Sequence, residues 1–196
     1  MSAAVSFRFA EPDDAAELLA IYSSYILNTA VTFEYEVPTV SDFAERIRDT
    51  MEEYPYIIAM RDGMPVGYAY ASAFHKRAAY AWTAETSIYL HPDCRGQGIG
   101  SALYERLERI LAMQHIHTVY ACVAYAVQPD SHLTNASTAF HLARGYLETG
   151  RFHACAYKFG QLYDMVYLEK QLCPIKLPLP ERLAFPAVRK QAEPLL

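Results

Sequence analysis

Apolar positions along the 196-residue chain recur with two spacings, and the switches between them mark out its elements. Steps of three and four place Ala16, Leu18, Leu19, Ile21, Tyr22, Tyr25 and Ile26 on one stripe of a helix from Asp13 to Asn28, with acids at its start as the helix dipole favours. A second helix is predicted over Thr39 to Tyr54, opening at Ser41 and Asp42 and charged on its outer face. A third covers Ile99 to Met113 with Leu103, Leu107, Ile110 and Leu111 inward, and a short fourth covers Asn135 to Arg144, closed by Gly145. Alternating or unbroken apolar runs predict strands at Phe7–Ala10, Tyr56–Met60, Pro65–Phe74, Trp82–Leu90, Thr118–Val127, Leu147–Tyr157 and Leu162–Lys170. Arg61-Asp62-Gly63 is a hairpin turn signal between the second and third of these.

The order β-α-α-β-β-β-α-β-α-β-β implies an α/β (α+β) domain over residues 1–170, a mixed and mostly antiparallel central sheet flanked by helices on both faces. One parallel pair is expected where the Trp82 strand, the helix after it and the Thr118 strand form a crossover. Residues 171–196 form a separate tail. Prolines crowd Cys173 to Leu196, which speaks against a regular helix or a central strand. Two readings are open, a disordered tail or an extended arm lying on the domain or a partner subunit; Leu177, Leu179, Leu183 and Phe185 favour the arm.

A chain 53% hydrophobic and of this length can bury a sizeable core. A formal net charge of −5 argues against non-specific nucleic-acid binding, which needs a basic face. No apolar run reaches the length of a membrane span and no signal pattern opens the chain, so a soluble cytoplasmic protein is expected. The four cysteines form no C-x-x-C pair, and no histidine spacing suits a metal. Cys122 and Cys155 lie in apolar runs and are expected to be buried thiols; Cys94, beside Arg95, is expected to have no chemical role.

Between the Trp82 strand and the third helix the chain reads Arg95-Gly96-Gln97-Gly98-Ile99-Gly100-Ser101. Alternate glycines clear the main-chain N–H groups of side chains where a helix N-terminus gathers unpaired donors and partial positive charge. That suits a phosphate or pyrophosphate. A P-loop is excluded because no Gly-Lys-Ser/Thr follows, and the dinucleotide fingerprint because its third small residue and its acidic partner are missing.

The pattern Arg/Gln-x-x-Gly-x-Gly/Ala resembles the pyrophosphate loop of the GNAT N-acetyltransferase superfamily, whose members bind acetyl-CoA. Tyr80-Ala81-Trp82-Thr83-Ala84-Glu85, Phe140 to Tyr146, Ala156 to Gly160 and Asn28 to Glu34 extend the likeness to its phosphinothricin acetyltransferase-like branch over Phe7 to Lys170. That branch acetylates the α-amino group of phosphinothricin, methionine sulfone, methionine sulfoximine and related amino acids. The resemblance implies an acetyl-CoA-dependent enzyme without a metal, a small amine or amino acid as partner, and a homodimer. Rival readings are a protein N-terminal or polyamine acetyltransferase, and an acetyl-CoA-binding sensor without turnover.

An α-amino group has a pKa of about 8 and is mostly protonated at neutral pH, so a general base is useful. Glu85, alone in an uncharged run, is the candidate; the alternative is a structural carboxylate paired to Arg77 or Lys76. Main-chain groups of Ile88, Tyr89 and Leu90 would pair with pantetheine as an added strand does. Amides of Gly96, Gln97, Gly98, Ile99, Gly100 and Ser101 would take the pyrophosphate, with Arg95 adding charge. The resemblance makes Asn135 a CoA contact, although it also suits a helix N-cap. It puts His141 where many relatives carry a tyrosine that protonates the leaving thiolate; a core or CoA-contacting histidine is the alternative. Phe33, Arg77 and Tyr80 are the acceptor-binding candidates, Arg77 as a carboxylate fork.

Overall fold

The computed structural model describes residues 4–196. Its sheet has seven strands, β1 (Ser6–Phe9), β2 (Tyr56–Arg61), β3 (Met64–Ala73), β4 (Thr83–Leu90), β5 (Thr118–Tyr125), β6 (Leu147–Lys158) and β7 (Gln161–Gln171), in the order β1-β2-β3-β4-β5-β7-β6. Every neighbouring pair is antiparallel except β4 and β5. The helix joining those two, α3 (Ile99–Met113), makes the expected crossover.

The period-two alternation of β2 divides the core. Ile57 and Ala59 pack with Leu103, Leu107 and Ile110 of α3, while Tyr56 and Ile58 pack with Leu18, Tyr22 and Ile47 of the opposite layer. That layer holds α1 (Ala15–Asn28) and α2 (Val40–Glu53). The stripe of α1 is the predicted one apart from its first residue: Ala15 is buried and Ala16 is exposed. Thr39 caps α2 reciprocally with Asp42, whose carboxylate accepts from the Thr39 hydroxyl at 2.7 Å. A fourth helix, α4 (Ala136–Ala143), follows β5.

The proline-rich segment departs from expectation, for it contains a regular helix, α5 (Phe185–Ala192). Pro186 lies in its first turn, where a missing N–H is no loss, and Pro194 falls beyond its end. Phe185 is buried edge-on to Phe9 with ring centroids 4.9 Å apart, and Val188 and Ala192 join the α3-side core. The cysteine expectation also fails in part: Cys155 is exposed and Cys122 half-buried. Cys155 sits where β6, the outermost strand, slips register between Phe152 and Ala156, so an apolar run there is not a buried one.

Candidate active site

The parallel pairing of β4 and β5 is short, running from Thr83 with Thr118 to Glu85 with Tyr120. Beyond Glu85, β4 follows β3 as far as Leu90 opposite Gly67, whereas β5 follows β7 to Tyr125 opposite Asp164. The strands part, and the Thr86 hydroxyl bridges them by donating to the Tyr120 carbonyl at 3.2 Å. The wedge is walled by Thr86, Ser87 and Ile88 on one side and by Cys122, Val123 and Ala124 on the other, with Tyr104 and His141 behind. Ile88 and Ser137 are shared with a neighbouring groove of about 300 Å³ that runs past Leu90, Arg95, Gly96 and Gly100.

In the glycine loop the three glycines stand for two different reasons. Gly96 (φ +71°) and Gly98 (φ +80°) take left-handed conformations with nothing near an added Cβ, so backbone geometry and not space requires glycine there. Gly98 is the N-cap of α3, leaving the amides of Ile99, Gly100 and Ser101 in its unpaired first turn. Gly100 has the opposite reason, since a Cβ would meet Phe140 at 3.3 Å and Ile88 and Leu90 at 3.4 Å. Ile99 turns its side chain into the core and offers only its amide outward. The Gln97 side chain donates to the Asp93 carbonyl at 2.8 Å and so is spent on the loop itself. Arg95 lies over the Tyr25 ring at 5.0 Å, and the Tyr25 hydroxyl holds the end of β4 by donating to the Leu90 carbonyl at 2.6 Å.

At the wedge's closed end Glu85 is half-buried, and burial alone raises its pKa. The alternative pairing with Arg77 or Lys76 is absent among the described residues; both side chains are exposed. Strand register puts Tyr70, Glu85, Ser87, Tyr120, Cys122 and Tyr167 on one face. Burial and then Glu85 push the Cys122 thiol up to about 11, and burial, Cys122 and Glu85 push Tyr167 up to about 12. Phe74 stacks on Tyr120 at 4.1 Å, and Tyr80 meets Phe74 edge-on at 6.1 Å, which joins Tyr80 to this aromatic face. Arg77 heads the turn before Tyr80 with its side chain in solvent, and Phe33 packs near Tyr163 at 6.5 Å.

His141 is 2% exposed, and its ring nitrogens are both engaged. Nδ1 faces the Ser137 carbonyl at 2.7 Å and must carry the proton, so Nε2 accepts from the Tyr104 hydroxyl at 2.9 Å. Burial lowers its pKa to about 4, so at neutral pH the ring is uncharged, with no proton directed at the wedge. Asn135 stands at the N-cap of α4 but does not cap it with its side chain. Its amide instead exchanges two 2.8 Å hydrogen bonds with the main chain of Ala126, tying the end of β5 to α4.

Sequence reasoning missed Tyr25, Tyr70, Thr86, Tyr104, Cys122 and Tyr167. Their parity with Glu85 or their contact with the loop depends on register and on helix-to-strand packing, and neither is written in local spacing. Among the described residues no three His, Cys, Asp or Glu side chains are grouped to hold a metal ion, and no helix is long and apolar enough to cross a membrane.

Comparison with known proteins agrees with this geometry. Residues 7–167 match the family model described as "Acetyltransferase (GNAT) domain". A phosphinothricin N-acetyltransferase of Alcaligenes faecalis is 32% identical over 91% of this chain and 88% of its own. An L-methionine sulfoximine/L-methionine sulfone acetyltransferase of Salmonella typhimurium is 26% identical over 86% of this chain and 95% of its own. The crystal structure of a phosphinothricin acetyltransferase from Sinorhizobium meliloti in complex with acetyl-CoA superposes with a TM-score of 0.81 at 29% identity, covering 94% of this chain and 99% of that one.

Proposed function

Because the chain belongs to the GNAT acetyltransferase family, we propose that it moves an acetyl group from acetyl-CoA to the α-amino group of a small amino acid or analogue, of the phosphinothricin, methionine sulfone or sulfoximine type, by direct attack in a ternary complex. One observation carries the reading: a half-buried carboxylate, without a cation partner among the described residues, sits where β4 and β5 part, next to Thr86 of a wedge whose neighbouring groove passes the glycine loop.

Acetyl-CoA supplies the acetyl thioester. The amides of Gly96, Gly98, Ile99, Gly100 and Ser101, with Arg95, hold the diphosphate, and the free edge of β4 at Ile88 to Leu90 aligns the pantetheine arm. Glu85 takes the proton of the incoming ammonium, and its raised pKa brings it nearer the working pH, where general bases act best. Cys122 borders the wedge as a thiol rather than a thiolate, which favours direct attack over an acetyl-cysteine route. Arg77 and Tyr80 flank the acceptor, with Phe33 on the adjoining loop. His141, neutral and locked between Ser137 and Tyr104, shapes the wedge and does not act as the acid. Asn135 contributes by holding the β5 end of the groove.

A panel of amino acids with sulfone, sulfoximine and phosphinate analogues, followed by free-thiol release from acetyl-CoA, tests this. Turnover of at least one α-amino acceptor with intersecting initial-rate lines is the expected result. Parallel lines would replace the ternary complex with a covalent route, and exclusive use of polyamines would replace the acceptor class.

A further inference from the structure

Beyond Glu85 no ladder joins β4 to β5: β4 stays on β3 and β5 on β7, and the two strands pair with each other only at the closed end of the wedge. On the sheet itself that end is tied by the His117 amide, which donates to the Trp82 carbonyl at 3.0 Å, and by the Leu172 amide, which donates to the His117 carbonyl at 2.8 Å. The strap of residues 180–185 that leads into α5 adds ties of its own beside the short parallel ladder. The Trp82 indole N–H donates to the Pro180 carbonyl at 2.7 Å, and the His115 ring meets the Glu181 carbonyl at 2.6 Å. The Leu183 amide donates to the Gln114 carbonyl at 3.1 Å. Arg182 pairs with Glu53 at the end of α2, and Phe185 anchors the strap in the core.

Gln114, in the turn from α3 to β5, is fully buried, and its amide donates to the Leu183 carbonyl at 2.9 Å and the Glu53 carbonyl at 2.7 Å. Its own oxygen Oε1 has no partner among the described residues. A flipped amide would set oxygen against two carbonyls, so the assignment is unambiguous, and the side chain is present for its donors at the expense of a buried acceptor.

We infer that this strap sets the opening of the β4–β5 wedge, with Trp82 and Gln114 as positioning residues for Glu85. The inference rests on the acetyltransferase reading. Trp82 precedes Glu85 by three residues, about 10 Å of strand. A shift at the strap is therefore delivered to the carboxylate. The glycine loop lies past the other end of β4, which Tyr25 holds separately through Leu90.

Trp82→Phe keeps an aromatic ring but loses the indole N–H; Gln114→Met keeps the volume and loses both donors. In each, kcat is expected to fall about ten-fold with KM for acetyl-CoA within about two-fold, since displacements near 1 Å can cost up to ~10²-fold. Amide hydrogen exchange is expected to quicken across residues 83–87 and 118–120. Arg189→Gln, on the outer side of α5, is expected to keep the wild-type kcat. Exchange that quickens only within residues 173–184, with kcat unchanged, would reduce the strap to a cover and overturn the inference. A wild-type protein that turns over no amine would sink the acetyltransferase reading alone, and the exchange pattern of the two variants would still decide whether the strap governs β4.

Discussion

Glu85 holds its proton to a higher pH than a solvent-exposed glutamate because burial penalises its charge and no cation offsets the penalty. Two effects of opposite sign follow. The base acts when deprotonated, so kcat/KM should fall as pH drops through a pKa above the ordinary carboxylate range. The fold, by contrast, binds this proton more tightly than the unfolded chain does. Its contribution to stability is fully present below the unfolded glutamate's pKa and is lost as pH rises through the raised one. Glu85→Gln should therefore cut kcat by about 10² to 10⁴ while melting at a higher temperature than wild type at neutral pH. That thermal advantage should vanish in acid. Rates by thiol release and melting curves across pH check both; a variant of full activity removes Glu85 as the base. Glu85 stood out in the sequence as a candidate because it is alone in an uncharged strand. His141 was legible as a position, but its surroundings were only half so: the Ser137 carbonyl that fixes its tautomer lies one helical turn back, whereas Tyr104, which donates to Nε2, lies on another helix and 37 residues away in sequence.

The glycine loop stands out in the sequence because two of its constraints are local, the left-handed backbones of Gly96 and Gly98; the third, the approach of Phe140 on α4 to Gly100, is tertiary. Gly98→Ala keeps the loop's charge and composition but must pay for, or abandon, the left-handed N-cap, at about 1–2 kcal/mol. Relaxing it turns the following amides away from a common anion. Acetyl-CoA affinity by calorimetry is expected to weaken by about ten-fold, an energy of that size. Undiminished affinity would show that these amides do not hold the diphosphate. The same local logic misjudged α5, since counting prolines takes no account of where they stand. At Pro186 the ring fits a first turn, and the helix is then stabilised by Phe185, Val188 and Ala192 against a core assembled from distant segments. Cys155 was misjudged likewise, because it is exposed at a register slip of β6, the strand at the end of the sheet.

At the scale of the whole molecule, element order was readable but the parting of β4 and β5 was not, because a ladder that stops after Glu85 depends on which neighbour each strand keeps. The outermost strand carries the remaining consequence. β6 ends the sheet, and it exposes Leu147 (68%), Phe152 (52%) and Tyr157 (60%). An open edge flanked by exposed apolar side chains, Leu147 and Phe152 on one face and Tyr157 on the other, invites pairing with a second chain. Phe152 also meets Tyr167 edge-on at 5.8 Å, and Tyr167 feels the charge of Glu85, so a partner laid against β6 would reach the rim of the acceptor face. On that argument a homodimer is the expected state, and light scattering should give twice the chain's 22.2 kDa. Phe152→Glu with Tyr157→Glu should halve the mass and lower kcat/KM for the acceptor, with acetyl-CoA binding intact because the glycine loop lies on the far side of the wedge. A wild-type mass of one chain at micromolar concentration would rule the dimer out, and a monomeric double variant of full activity would separate assembly from the acceptor site.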